Sequence, residues 1–114
     1  MRVCIPSPFP GGPETGVTAR FELADMLDYY EIRPGGTYEQ VAQTRNCAGG
    51  CSDPVERISR RQVDLLIVTC ISQSYLNRFR RAGVKVLRAK SQSVDDLLRA
   101  AAANNLEEMK KGDT

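Results

Sequence analysis

The run Val63-Asp64-Leu65-Leu66-Ile67-Val68 limits what this chain can fold into more than any other segment. It is apolar at every position but Asp64 and lacks the alternation of a half-solvated strand. A strand of that kind is covered on both faces, so it belongs inside a sheet flanked by other elements. The following residues supply such cover. Ser72 or Ser74 caps a helix whose inner side includes Leu76 and Phe79, and Gly83 ends it. Val84 to Leu87 is a further short strand. Ser93 with Asp96 opens a last helix, in which Val94, Leu97, Leu98 and Ala101 recur at helical spacing. Ahead of the apolar run, Asp53 is an N-cap and Pro54 takes the first helical position. Glu56 is placed to reach back as in a capping box, and Val55 and Ile58 form the apolar side.

The first half reads as strands and turns. Arg2 to Ile5 is a short strand stopped by Pro6 and Pro8, and Ser7 to Gly16 is a Gly/Pro-rich loop. Phe21, Ala24 and Leu27 suit a helical turn, after which Leu27 to Arg33 reads as a strand. Pro34-Gly35-Gly36 is a turn, and Thr37 to Thr44 is the returning strand of a hairpin. Asn104-Asn105 weakens the last helix. The expected division is one domain over residues 1–106 and a frayed polar tail over 107–114. The order βββαβαβα implies an α/β fold, a mixed sheet with helices packed on it.

Composition narrows function by exclusion. A formal charge of +2 over 114 residues, with few aromatics, points to no nucleic-acid partner. No stretch approaches the roughly 18 apolar residues of a membrane span. The apolar run at the N-terminus is too short for a signal peptide, so the expected location is cytoplasmic, where thiols are normally reduced. No phosphate-binding glycine loop is present. Histidine is absent, which excludes Ser-His-Asp and Cys-His catalysis and leaves soft-metal or nucleophilic chemistry to Cys4, Cys47, Cys51 and Cys70. The segment Cys47-Ala48-Gly49-Gly50-Cys51 is short and permissive enough to wrap a metal center or to close as a disulfide.

Several words in order resemble the dinitrogenase iron–molybdenum cofactor biosynthesis family, over residues 1–106. They are the opening Arg2-Val3-Cys4-Ile5-Pro6 with its Gly/Pro loop and Val17-Thr18-Ala19-Arg20-Phe21-Glu22-Leu23-Ala24. The Val63–Val68 run, Arg81-Ala82-Gly83-Val84-Lys85-Val86 and Ser93-Val94-Asp95-Asp96-Leu97-Leu98 complete the set. The resemblance implies a ribonuclease H-like fold with a five-stranded mixed sheet and flanking helices. It also implies a non-catalytic carrier or scaffold of a metal–sulfur cluster, iron–sulfur or molybdenum-containing, as in the orange proteins. Cluster biosynthesis or acceptor proteins would be its partners. The chain departs from the family pattern where a His-Phe-Gly-Arg word becomes Arg20-Phe21-Glu22-Leu23, and where a Gly-Gly becomes Thr69-Cys70.

In that topology the ends of the first, third and fourth strands share one edge. Cys47, Cys51 and Cys70 are the expected metal ligands there, since thiolates suit iron–sulfur clusters, Cu(I) or Zn. Gly49 and Gly50 would turn backbone N–H groups toward the cluster, and Arg20 would offset its negative charge. Three thiols do not complete a tetrahedral site, so a homodimer is a further expectation. The alternative is a thiol–disulfide redox protein working through Cys47 and Cys51. A protein-interaction module with inert cysteines is a third reading. Cys4, inside the first strand, reads as a small core residue.

Overall fold

The computed structural model describes residues 1–46 and 53–110. Five strands form one sheet in the order β3-β2-β1-β4-β5. In chain order β1 is Arg2–Ser7, β2 Met26–Ile32, β3 Tyr38–Arg45, β4 Leu65–Val68 and β5 Lys85–Arg88. The helices are α1 Pro54–Arg60, α2 Gln73–Arg81 and α3 Val94–Ala102, so the order is βββαβαβα, the α/β arrangement expected of a ribonuclease H-like chain. β1 is antiparallel to β2, and β2 to β3. β1 and β4 run parallel, as do β4 and β5.

The apolar run became a fully covered strand because helices lie on both faces. Leu66 and Val68 pack with Val55, Ile58, Leu76 and Phe79 of α1 and α2. Leu65 and Ile67 pack with Val94, Leu97, Leu98 and Ala101 of α3. The caps are local. Val55 N donates to the Asp53 carboxylate at 3.1 Å, Tyr75 N to Ser72 Oγ at 3.3 Å and Asp96 N to Ser93 Oγ at 3.3 Å. Ser72, not Ser74, is thus the cap of α2. Each such cap contributes about 1 kcal/mol. Glu56 does not reach back; its carboxylate pairs with Arg60 one turn on. Gly83 follows α2 at φ 84°, the left-handed conformation that ends a helix.

Among the boundaries that differ from the sequence reading, β4 begins at Leu65 rather than Val63. β1 continues through Pro6 to Ser7, paired with Leu27 and Met26. The β4 ladder meets β1 only at Val3 and Cys4, so no bond toward β4 is needed at Pro6, and Pro6 O accepts from Thr18 N instead. The helical turn shrinks to a 3-10 turn, Phe21–Leu23, because Leu27 belongs to β2.

Residues 107–109, expected to fray, are tied down. Arg88 N donates to Glu107 O and Met109 N to Val86 O, each at 2.8 Å, and Leu87 bridges Glu108 antiparallel. β5 is an edge strand with open backbone groups, and this short segment satisfies them. Met109 is fully buried in the α1/α2 layer. Met109→Ala should therefore lower unfolding free energy by about 2–5 kcal/mol, as for a core methionine. Urea denaturation checks this, and a change within experimental error would mean that the segment does not dock.

Candidate functional site

Strand polarity gathers the chemistry at one edge. β1, β3 and β4 all point the same way, and Ser7, Met26 and Arg45 lie in register across their ends. Three hydrogen bonds draw the following segments together there. Phe21 N donates to Cys70 O at 2.9 Å, Asn46 Nδ2 to Phe21 O at 2.9 Å and Asn46 N to Asp25 O at 3.0 Å. Arg20 thereby precedes the residue bonded to Cys70, and Cys70 is half-buried between β4 and α2. Cys47, Gly49, Gly50 and Cys51 lie outside the described residues. The chain enters that segment from Asn46, held at this edge, and leaves it at Asp53, the α1 cap, whose carboxylate also pairs with Arg78.

The edge is polar beneath its surface. Ser72 N, at the start of α2, donates to Glu22 Oε1 at 2.6 Å. A carboxylate at a helix N-terminus is favored by the helix dipole. Arg20 Nε stands 3.8 Å from Glu22 Oε2, too far for a hydrogen bond. Glu22 Oε2, Asn46 Oδ1, Thr18 Oγ1 and Thr69 Oγ1 are all buried atoms without a hydrogen-bond partner. Buried polar atoms are ordinarily paired, so such a group of orphaned oxygens at the thiol-bearing edge suits a bound group that would complete them. Cys70 is a free cysteine at the same edge. Among the described residues, no set of three or more His, Cys, Asp or Glu side chains is arranged to hold a metal ion. Cys70 is accordingly part of no such set among the described residues.

Cys4 is not part of this edge. It is fully buried in β1 opposite Tyr29 and packs in the α1/α2 core. Burial pushes its thiol well above the ordinary range, the Asp28 charge adds to this, and Arg61 opposes it. A thiol so disfavored as thiolate is inert.

Sequence reasoning missed two residues, Glu22 and Asp28. Asp28 is a fully buried carboxylate in the middle of β2. Its Oδ2 accepts from Ser7 Oγ and Gly12 N, each at 2.7 Å. Its Oδ1 accepts from Gln43 Nε2 at 2.6 Å and Gln40 Nε2 at 3.2 Å. Gln43 also holds Pro10 O at 3.0 Å. Two glutamines three apart face the same way only because Val41 is a bulge, with Ala42 opposite Tyr29 and Gln40 opposite Tyr30. Gly11 closes the loop over this cluster at φ 81°, and a Cβ there would stand 2.2 Å from Gln43 Nε2. The available signal was a lone acid within Met26-Leu27-Asp28-Tyr29-Tyr30, an otherwise apolar strand.

Fold and edge together define a small α/β domain with a polar, thiol-bearing sheet edge. Residues 1–104 match the family model described as dinitrogenase iron-molybdenum cofactor, and the chain belongs to that family. Solved structures agree in fold. A Thermotoga protein provisionally described as a NifB protein shares 26% identity over 97% of this chain and 98% of its own, with a TM-score of 0.71. A Methanocaldococcus jannaschii protein provisionally described as a dinitrogenase shares 16% over 96% and 95%, with a TM-score of 0.72. The apo orange protein from Desulfovibrio gigas shares 15% over 95% and 92%, also with a TM-score of 0.72. No curated protein sequence matches the chain.

Two outcomes follow from this geometry. Alkylation of the native protein at neutral pH should leave Cys4 unmodified until denaturant is added, as peptide mass mapping would show. Asp28→Ala should cost about 2–4 kcal/mol of stability, because four donors lose their buried acceptor. It should also speed hydrogen exchange at the Gly12 amide. Unchanged exchange would show that Asp28 does not hold the loop.

Proposed function

We propose that this protein is a non-catalytic carrier or scaffold for a metal–sulfur cluster, iron–sulfur or molybdenum-containing, in cofactor biosynthesis. Family membership supports an accessory role in such biosynthesis. The observation that carries the finer reading is the Phe21 N to Cys70 O bond at the carboxyl edge. It supports the reading because it ties the turn that carries Arg20 to the turn that carries Cys70, while Asn46, just before the Cys47–Cys51 segment, bonds to Phe21 O. Cys47, Cys51 and Cys70 act as thiolate ligands. Gly49 and Gly50 let backbone N–H groups approach sulfide, and Arg20, half-exposed, offsets the negative charge of the cargo. Three thiolates leave a tetrahedral metal one position short. That position is the means of transfer, open to a ligand from the acceptor protein or from a second copy of the chain.

A carrier needs ligands that hold the cluster yet release it, and it needs no acid or base. What the chain contributes is soft donors, a positive counter-charge and a rigid sheet edge to hold them. Oxygen-free purification followed by iron, molybdenum and sulfide analysis tests the proposal. Metal with acid-labile sulfide is expected, reduced about tenfold or more in Cys47→Ser, Cys51→Ser or Cys70→Ser and retained in Cys4→Ala. Colorless protein that also resists anaerobic reconstitution with iron and sulfide would sink the reading. A metal-free, reversible two-electron couple between Cys47 and Cys51 would establish the thiol–disulfide alternative in its place.

A further inference from the structure

The positive charge of this chain is concentrated in one stretch. Residues 53–88, which build α1, β4, α2 and β5, carry eight Lys or Arg against three Asp or Glu, a net of +5, while the rest of the chain sums to −3. Cations in the last turn of a helix ordinarily serve its dipole. Two at the end of α1 reach elsewhere. Arg57 donates to Arg45 O at the end of β3, and the Arg61 guanidinium lies over the Tyr29 ring of β2, 5.0 Å from its center. With Asp53, Glu56 and Arg60 they line an open groove of about 430 Å³ along α1. Both acids in it are engaged, Asp53 with the start of α1 and with Arg78, Glu56 with Arg60. Among the described residues Arg61 meets an aromatic face and no carboxylate, so its charge is not offset.

We propose that this groove docks an acidic segment of a partner protein. A guanidinium offers a planar fork of N–H donors that matches a carboxylate. Stacking on Tyr29 orders the Arg61 side chain without neutralizing it, which lowers the entropy lost on binding. A protein segment fits better than a uniform polyanion. Asp53 and Glu56 stand among the arginines and would repel the unbroken negative charge of a nucleic-acid backbone or an anionic membrane. A peptide can set carboxylates against Arg57 and Arg61 and an amide or a cation against the acids. The groove runs from Asp53, at the carboxyl edge, to Arg61, whose carbonyl accepts from Arg2 at the opposite edge. Docking there needs no cargo, so the proposal stands or falls apart from the carrier reading.

Fluorescence anisotropy of a labeled glutamate-rich peptide, titrated with the full-length chain, tests the proposal. Binding is expected at low ionic strength and should weaken as salt rises, because exposed charges are screened beyond about 8 Å at physiological ionic strength. Arg57→Gln with Arg61→Gln should weaken it about 5- to 30-fold, the worth of two ion pairs at a partly exposed site. Arg33→Gln with Arg99→Gln removes the same charge from residues outside the groove and should change it by less than about twofold. Thermal melts verify each fold. Should the first double variant unfold, Arg60→Gln, at a side chain 76% exposed, carries the same test with a loss of about 2- to 5-fold. An equal loss in both double variants would mean that net charge alone attracts the peptide, and would overturn the inference. So would absence of binding at low salt, or tighter groove-dependent binding of a single-stranded oligonucleotide or of phosphatidylglycerol vesicles than of the peptide.

Discussion

A charge with no exposure organizes the first half of the molecule. Asp28 lies in the middle strand of the antiparallel half-sheet, and its four partners come from β1, β3 and the Gly/Pro loop. An unpaired carboxylate there would be strongly destabilizing, so the register of β3, its bulge and the path of the loop must all answer to it. With the loop closed, Val17 N bonds to Gln92 O, Thr18 N bonds to Pro6 O, and the chain is delivered to Arg20 and Phe21 at the sheet edge. The site at that edge is built on this anchor.

The carboxyl edge itself is a consequence of topology. A strand–helix crossover makes β4 parallel to β1, and two antiparallel pairings make β3 parallel to β1 as well. Loops that follow these strands must meet. The turn after β4 carries Cys70, and the 3-10 turn packs Phe21 on Tyr75 and Phe79 of α2 at ring separations of 5.4 and 5.5 Å. Those edge-to-face aromatic contacts stabilize the turn that bears Arg20 and Glu22 against the start of α2. The aromatic cluster thus holds this turn next to the unpaired buried oxygens of the edge.

Much of the fold was legible. Ser93, Ser72 and Asp53 announced their helices because capping acts within three residues. Val94, Leu97, Leu98 and Ala101 announced a buried face because helical period is local. Of the candidate site less can be traced: Phe21, the neighbor of Arg20, bonds to Cys70 at one edge, while Cys47, Gly49, Gly50 and Cys51 lie outside the described residues. Met109 was misread because a polar stretch gives no sign that an edge strand will bind it. Asp28 and Glu22 were passed over because their meaning lies in partners that pattern cannot see.

The amino-acid sequence by itself determined which segments are strands and helices, where the helices begin, and which side chains turn inward. Those properties depend on neighbors a few residues away. Only the tertiary structure decided that β1 lies at the center, that a bulge at Val41 turns two glutamines onto Asp28, and that Glu22 meets Ser72. Each of these depends on pairing distant stretches of chain. Their geometry follows from the packing of the whole sheet, which no local pattern encodes.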